Sequence, residues 1–198
     1  NYPGVTVERK AGSMRCNGST YTLIDLPGTY SLAARSPDEM IVVDVLLNQQ
    51  DGERPIDAVL AVVDATNLER NLYLVSQLRE LGKPLVVALN MNDLAEKREI
   101  RIDTVALSKE LGARAVCICA HKGVGIDSLR GALSDALNNV YNPHSGGPEF
   151  PQALRDEVAA LEGELGAQEG KLGRTVPKLE VFRLLIDRNG YIETRLAR

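Results

Sequence analysis

Apolar residues follow two different periods along residues 57–140, and the two periods alternate. The segment 57–64 (DAVLAVVD) is almost continuously apolar, which is typical of a parallel β-strand covered on both faces. The segment 67–81 then carries leucine and valine at helical spacing and stops at Gly82, which predicts a helix. The same alternation predicts strands over 85–90 and 115–119 and helices over 104–111 and 126–140. Strands that alternate with helices predict an α/β fold, with a mostly parallel sheet, right-handed crossovers and flanking helices.

A hairpin and a capped helix precede this unit. Two strand-like segments flank Asn17 and Gly18 between residues 12 and 25, and an Asn-Gly pair tolerates the positive φ of a tight turn. Farther along, Ser36 is followed by a proline and then by Glu39, the pattern of a helix N-cap with a capping box. We therefore expect an antiparallel pair of strands leading into Asp25 and a helix that begins near Ser36.

The alternating pattern stops after residue 140. Residues 141–150 contain two prolines, two glycines, an asparagine and a serine, which predicts a linker between two parts of the chain. Helical patterns return near 152–165 and 178–186. The sequence thus predicts a main domain over 1–140 and a small α-helical domain over 151–198. This second domain has no histidine, cysteine or serine, so we expect it to transmit a signal rather than to perform chemistry.

Composition and charge exclude several classes of function. The chain is 44% hydrophobic and 25% charged, as in ordinary globular proteins, and its formal net charge is −4. No basic field is available to hold a phosphate backbone, so nucleic acid is not an expected partner. No apolar run reaches the roughly 20 residues that span a bilayer.

Three cysteines, an odd count, lie at spacings unlike those of zinc sites. Cys117 and Cys119 alternate within an apolar run, so we expect them, like Cys16, to be reduced residues of the interior. A metal site built from Cys117, Cys119 and His121 is the alternative, and the sequence offers it no obvious fourth ligand.

The first candidate for chemistry is the tetrapeptide Asp25-Leu26-Pro27-Gly28, which begins where a predicted strand ends. Doubly wound sheets bind ligands at such places. In a nucleotide switch, the aspartate of D-x-x-G holds Mg²⁺ through water, and the glycine N–H contacts the γ-phosphate. The alternative is an ordinary turn after a strand.

The second candidate is Asn90-Met91-Asn92-Asp93, at the end of another predicted strand. A carboxylate at Asp93 can accept from both the ring N–H and the amine of guanine, and adenine would leave it unpaired. Asn90 would tie this loop to its neighbours. The alternative is that Asn92 or Asp93 caps a helix.

Two further segments complete the set. Cys119-Ala120-His121 follows the last predicted strand, where nucleotide switches place a Ser-Ala loop whose N–H meets the guanine carbonyl; the alternative for His121 is an exposed loop residue. Before the hairpin, Thr6 is the only threonine of residues 1–8, where a switch loop would place a hydroxyl on Mg²⁺. The strand-end motifs occur in the order of a guanine-nucleotide switch, which favours that function.

Four segments together resemble the ferrous iron transport protein B family of bacterial GTPases. They are NYPGVTVERKAG, DLPGTYSL, VVDATNLERNLYLVSQL and ALNMNDLAEK, and the resemblance covers about residues 1–140. It implies a P-loop-GTPase-like fold, a GTP-hydrolysing regulatory domain at the cytoplasmic face of the inner membrane, and a transmembrane iron-pore region as partner. A homo-oligomer is a further expectation.

The resemblance also assigns ligands. It implies that GTP and GDP contact Gly4, Val5, Thr6 and the two tetrapeptides, and that Asn90 and Asp93 bind guanine, with Cys119, Ala120 and His121 near its carbonyl. Mg²⁺ would be held by Thr6 and, through water, by Asp25. K⁺ would be held beside the phosphates partly by the backbone of Tyr2.

The chain departs from the GTPase pattern at two places. Thr29 occupies the position where many GTPases have a water-orienting glutamine, so we expect slow hydrolysis. No G-x-x-x-x-G-K-[ST] loop occurs in the 198 residues, and we expect that loop and the first strand to precede Asn1. The alternatives to a slow GTPase are a guanine-nucleotide sensor that does not hydrolyse, and an RNA-linked GTPase, which the balanced charge of residues 151–198 disfavours.

Overall fold

A computed structural model of the chain describes residues 10–16, 18–34, 36–47, 55–138, 150–167, 176, 178–187 and 190–196. The candidate residues Tyr2, Gly4, Val5 and Thr6 therefore lie outside the described residues, as does most of the predicted linker.

The described chain begins with the predicted hairpin. Strands β1 (Lys10–Cys16) and β2 (Ser19–Asp25) pair antiparallel, with Cys16 opposite Ser19 and Lys10 opposite Asp25. Gly18 lies in the turn at φ 80°, a conformation that glycine adopts without strain. The prediction of an antiparallel pair leading into Asp25 is confirmed.

Three parallel strands form a separate sheet in the order β3-β4-β5. They are β3 (Val59–Asp64), β4 (Leu85–Asn90) and β5 (Arg114–Cys117). The central strand β4 is almost completely buried, because helices cover both of its faces. The predicted parallel sheet with flanking helices is confirmed. Among the described residues β3 is an edge strand, and Val62 on it is exposed.

The helices connect and cover these strands. They are α1 (Pro37–Leu46), α2 (Leu68–Arg79), α3 (Asn92–Lys97), α4 (Thr104–Leu111), α5 (Ile126–Leu137), α6 (Gln152–Ala167), α7 (Lys178–Ile186) and α8 (Tyr191–Leu196). The capping box at Ser36 is present, since the Ser36 Oγ accepts from the Glu39 N–H and the Glu39 carboxylate accepts from the Ser36 N–H. Helices α3 and α8 were not predicted.

Part of the C-terminal segment packs into the main core. Tyr191 and Ile192 of α8 belong to the same buried cluster as Leu46 of α1. The Tyr191 hydroxyl donates to Asp44 Oδ2 of α1 at 2.8 Å, with both side chains buried. Arg183 of α7 lies 3.2 Å from Glu80, the residue that follows α2. Arg183, Tyr191 and Ile192 therefore contact helices of the sheet unit, while a separate domain over 151–198 stays a prediction.

Candidate nucleotide site

The candidate site lies where β4 and β5 end. Asn90 is the last residue of β4, and Cys119 follows β5 by two residues. Because β4 and β5 are parallel, their carboxyl ends meet at one edge of the sheet, which brings the two loops together. The Asn92 N–H donates to the carbonyl of Ile118 at 3.2 Å, so a backbone hydrogen bond joins the two loops.

The loop after β4 turns through a left-handed residue. Met91 has φ 62° and ψ 31°, and it is the N-cap of the six-residue helix α3. No side chain forms a capping hydrogen bond there. Asn92 and Asp93 lie inside the first turn rather than at the cap, so the alternative in which one of them caps a helix is wrong. The Asn92 side chain instead donates to Glu96 at 2.7 Å.

Asn90 joins the two loops. Its Oδ1 accepts a hydrogen bond from the Ala120 N–H at 3.1 Å. This bond fixes the position of the Cys119-Ala120-His121 segment relative to the end of β4. The expectation that Asn90 ties its loop to a neighbour agrees with this geometry.

Only one of the two carboxylate oxygens of Asp93 has a hydrogen-bond partner among the described residues. Its Oδ2 accepts from Lys122 Nζ at 2.6 Å, whereas its Oδ1 is buried and has no hydrogen-bond partner among the described residues. The hydrogen bond from Lys122, followed by the neighbouring Cys119 thiol, lowers the pKa of Asp93 to about 2. Asp93 is therefore ionised at neutral pH and carries an oxygen that is free to accept from a ligand.

The loop after β5 is a short closed turn. Cys119 and Val124 exchange two backbone hydrogen bonds, of 3.0 and 3.2 Å, around the 3₁₀ turn Ala120–Lys122. Cys119 is buried, and His121 is exposed with its Nδ1 3.4 Å from the Cys119 sulfur. Burial is the first cause that raises the pKa of the Cys119 thiol, followed by the neighbouring Asp93 carboxylate. Cys119 is thus a protonated thiol at neutral pH.

One glycine fixes the end of this loop. Gly125 has φ 80°, and a Cβ placed on it would lie 2.4 Å from the carbonyl oxygen of Cys117. Only glycine allows α5 to begin this close to the end of β5.

The Asp25 to Gly28 segment follows the antiparallel hairpin. Asp25 is exposed at the end of β2, and its carboxylate has no hydrogen bond or ion pair with another described residue. A Cβ added at Gly28 would meet no described atom within 4 Å, and the φ of Gly28 lies outside the left-handed region. Neither packing against a described residue nor a left-handed backbone therefore requires glycine at this position.

The segment after Gly28 is held by hydrogen bonds within itself and to α2. Thr29 Oγ1 donates to the Ser31 carbonyl at 2.7 Å and accepts from the Ser31 N–H at 3.2 Å. The buried Gln77 of α2 accepts from the Leu32 N–H at 2.6 Å and from the Ser31 hydroxyl at 3.3 Å. The segment is therefore attached to α2 by a single amide oxygen.

The structure thus brings seven of the candidate residues together at one edge of the sheet. They are Asn90, Met91, Asn92, Asp93, Cys119, Ala120 and His121. Asp25 ends the second strand of the hairpin, and Leu26 to Gly28 follow it, with Leu26 and Pro27 half-buried. Sequence reasoning missed Lys122 and Gln77. The only signal for Lys122 was a lysine next to a strand-end motif, and Gln77 had none, because a glutamine on a helix is usually exposed.

No helix in the described part of the chain combines the length and the apolar character that a bilayer crossing requires.

Comparisons with known proteins agree on one family. Residues 1–133 match the family model described as "Ferrous iron transport protein B". The Fe(2+) transporter FeoB of Salmonella typhimurium is 45% identical over 167 residues, which cover 80% of this chain and 21% of that protein. The chain therefore spans about a fifth of the length of this relative.

Solved structures give the same result. The cytosolic domain of L. pneumophila FeoB is 36% identical with a TM-score of 0.75, covering 94% of this chain and 69% of that chain. The cytosolic domain of the T. maritima FeoB iron transporter in GDP form II is 33% identical with a TM-score of 0.80, covering 100% of this chain and 74% of that chain. The fold is that of the cytosolic domains of this family.

Proposed function

Since the chain belongs to the ferrous iron transport protein B family, we propose that it is the GTP-binding and slowly GTP-hydrolysing regulatory domain of a bacterial Fe²⁺ transporter. A solved relative is described in a GDP form, which supports guanine nucleotide as the ligand. The proposal places this domain at the cytoplasmic face of the inner membrane, with the transmembrane iron-pore region of the same polypeptide as its partner.

The observation that carries the proposal is Asp93 Oδ1, an oxygen with no hydrogen-bond partner in the part of the chain that the structure describes. A buried carboxylate oxygen without a donor is destabilising unless a ligand satisfies it. Guanine presents two adjacent N–H donors, and a carboxylate accepts both in parallel. The second oxygen is held by Lys122, whose side chain is half exposed and free to move into solvent when guanine arrives. Adenine offers no such pair of donors, so Asp93 selects guanine.

The two joined loops supply the rest of the base site. The hydrogen bond from Ala120 to Asn90 holds the 119–121 segment beside Asp93. A backbone N–H in this segment meets the guanine carbonyl, and Met91, with 41% of its surface exposed, offers an apolar contact to the ring. These contacts orient the base and take no part in hydrolysis.

The phosphate side uses the Asp25 to Gly28 segment. An exposed carboxylate without a described partner fits a Mg²⁺ ion that keeps its water shell, so Asp25 would hold the ion through water. Mg²⁺ neutralises charge on the phosphates when it is bound. The open space around Gly28 leaves its N–H accessible to the γ-phosphate. Thr6 as a second Mg²⁺ ligand and the Tyr2 backbone as a K⁺ ligand belong to the proposal as well.

Slow hydrolysis follows from Thr29. Its hydroxyl already donates to and accepts from Ser31, so it has no free donor to orient an attacking water. The same observation favours a second candidate function, a guanine-nucleotide sensor that hydrolyses GTP negligibly. Single-turnover hydrolysis by the intact protein in K⁺ and in Na⁺ separates the two, because only the GTPase gives a rate above the uncatalysed one.

The test of the nucleotide assignment is a change of base preference. Asp93→Asn should lose affinity for GDP and gain affinity for xanthosine diphosphate in the intact protein, because the amide can donate to the xanthine carbonyl where the carboxylate cannot. Asp127→Asn is the matched control, since Asp127 is an exposed aspartate in the first turn of α5. Equal GDP affinity in Asp93→Asn and in the unchanged protein would refute the assignment.

A further inference from the structure

Three side chains that can bind metal converge at the base loops. Asp93, Cys119 and His121 each offer one ligand atom, and these atoms all lie within 4.8 Å of one another. The His121 Nε2 lies 3.8 Å from the Cys119 sulfur and 3.8 Å from Asp93 Oδ2. One imidazole nitrogen is therefore near both other ligands at once.

The spacing is close to that of a tetrahedral metal site. Zinc bound to sulfur, nitrogen and oxygen at its usual bond lengths separates pairs of ligand atoms by about 3.3–3.6 Å. The two separations of 3.8 Å from His121 Nε2 exceed this range by a few tenths of an ångström, which rotation of the exposed His121 ring can remove. The Cys119 sulfur lies within 4.8 Å of the Asp93 carboxylate, so a small movement of the Asp93 side chain would complete the site. A water molecule would complete four ligands, as in zinc sites that keep an open position.

The set of ligands is also chemically selective. A thiolate, an imidazole and a carboxylate together favour zinc and other first-row divalent ions over Mg²⁺, which prefers oxygen ligands alone. The oxygen that faces His121 is Oδ2, which Lys122 holds at 2.6 Å, so the half-exposed Lys122 side chain must release this oxygen before a metal ion can bind it. Metal binding would release the Cys119 thiol proton to solvent.

We propose that Asp93, Cys119 and His121 form a binding site for Zn²⁺ or a similar thiophilic divalent cation, and that this ion excludes guanine nucleotide from the base loops. The exclusion rests on the proposed function, because it requires that Asp93 binds guanine. The metal site itself does not, because it follows from the three side chains alone. Occupation by metal would keep the domain free of nucleotide.

Cobalt is the probe for the metal site, since a Co²⁺–thiolate bond gives a charge-transfer band in the near ultraviolet that Mg²⁺ and protein lack. Co²⁺ titrated into the nucleotide-free protein should produce this band, and excess Zn²⁺ should remove it. Cys119→Ser should abolish the band, and His121→Ala should weaken Co²⁺ binding by roughly tenfold or more, since a direct ligand is lost. Cys16→Ser, a cysteine of the hairpin, is the matched control and should keep the band.

Lys122→Met provides a variant in which the expected change is a gain of binding, which misfolding cannot produce; circular dichroism confirms that the variant is folded before a loss is interpreted. Lys122 neutralises Asp93 and places a positive charge beside the proposed ion, so its removal should strengthen Co²⁺ binding. Absence of a thiolate band in the unchanged protein, persistence of the band in Cys119→Ser, or weaker binding in Lys122→Met would each overturn the metal site.

Addition of GDP separates the two parts of the proposal. GDP should remove the Co²⁺ band, whereas ADP at the same concentration should leave it unchanged. A band that persists while GDP is bound would overturn the exclusion and leave the metal site standing. An intact protein that binds Co²⁺ as described and fails to bind GDP without metal would instead refute the proposed function.

Discussion

Replacement of Gly125 by alanine should destabilise the protein through its backbone. Gly125 has φ 80°, in the left-handed region, where a residue with a Cβ costs roughly 1–2 kcal/mol. The added Cβ would lie 2.4 Å from the Cys117 carbonyl oxygen, so the start of α5 must move away from the end of β5. Crowding of this kind costs about 1–3 kcal/mol. Alanine also lowers the conformational entropy of the unfolded chain, which stabilises the folded protein by about 0.4–1 kcal/mol. We expect Gly125→Ala to lower the free energy of unfolding by about 3 kcal/mol.

The shift between the start of α5 and the end of β5 should also change the loops after β4 and β5. The Cys119 to Val124 turn lies between Cys117 and Gly125, and its Ala120 N–H donates to Asn90. A shift of the Cys117 carbonyl therefore changes the loop that holds the base. We expect GDP affinity to fall together with stability.

The assay is urea denaturation monitored by circular dichroism. GDP binding is measured on the same protein preparations without urea, at a temperature where the variant is folded. Gly131→Ala is the matched control within α5, because an added Cβ there meets no described atom within 4 Å. It should raise the free energy of unfolding by about 0.5–1 kcal/mol, as alanine does in a helix interior. A Gly125→Ala protein as stable as the unchanged one would refute the argument from backbone geometry.

Three further predictions concern single hydrogen bonds. Thr29→Ala should change single-turnover GTP hydrolysis in the intact protein by less than about tenfold, well short of the effect of losing a positioned acid or base. Lys122→Met should raise the pKa of Asp93 from about 2 toward 3.8, measured by carboxyl ¹³C NMR, so the stability that Asp93 contributes above pH 4 and loses as pH falls toward 2 should disappear. Tyr191→Phe should lower the free energy of unfolding by about 1–2 kcal/mol, since Asp44 loses a buried donor.

Each of these three has a clear contrary result. A loss of hydrolysis greater than about a hundredfold in Thr29→Ala would make its hydroxyl a participant in the reaction. An unchanged pKa of Asp93 in Lys122→Met would mean that another group lowers it. Unfolding midpoints of Tyr191→Phe that equal those of the unchanged protein would mean that the hydrogen bond to Asp44 contributes nothing.

Much of the fold could be predicted from the sequence because its signals are local and periodic. Continuous apolar strands, helical spacing and the Ser36 capping box each reveal an element within a few residues of its observed ends. Helix α3 was missed because its N-cap is Met91 in a left-handed conformation, with a φ of 62°. Methionine is not a residue type that indicates a positive φ in a sequence. Helix α8 was missed because its six residues are too few for a periodic pattern.

Some contacts of the candidate site could also be predicted from the sequence, and others could not. The proximity of Asn90 and Ala120 could be predicted, since the carboxyl ends of parallel strands meet at one edge. The ion pair of Lys122 with Asp93 could not, because it depends on how a 3₁₀ turn folds back across the sheet edge. The convergence of Cys119 and His121 on Asp93 was missed for the same reason, and sequence reasoning had tried Cys117 in place of Asp93.

The burial of Tyr191 and Ile192 beside Leu46 has a practical consequence for dissecting the molecule. The proline- and glycine-rich stretch over 141–150 is the natural place to cut the chain, yet a cut there removes side chains that shield α1 from water. A shortened protein ending at residue 150 would expose the apolar surface that these residues cover and would tend to aggregate. Experiments on the sheet unit alone should therefore replace the exposed apolar residues of α1 with polar ones, or keep the whole C-terminal segment attached.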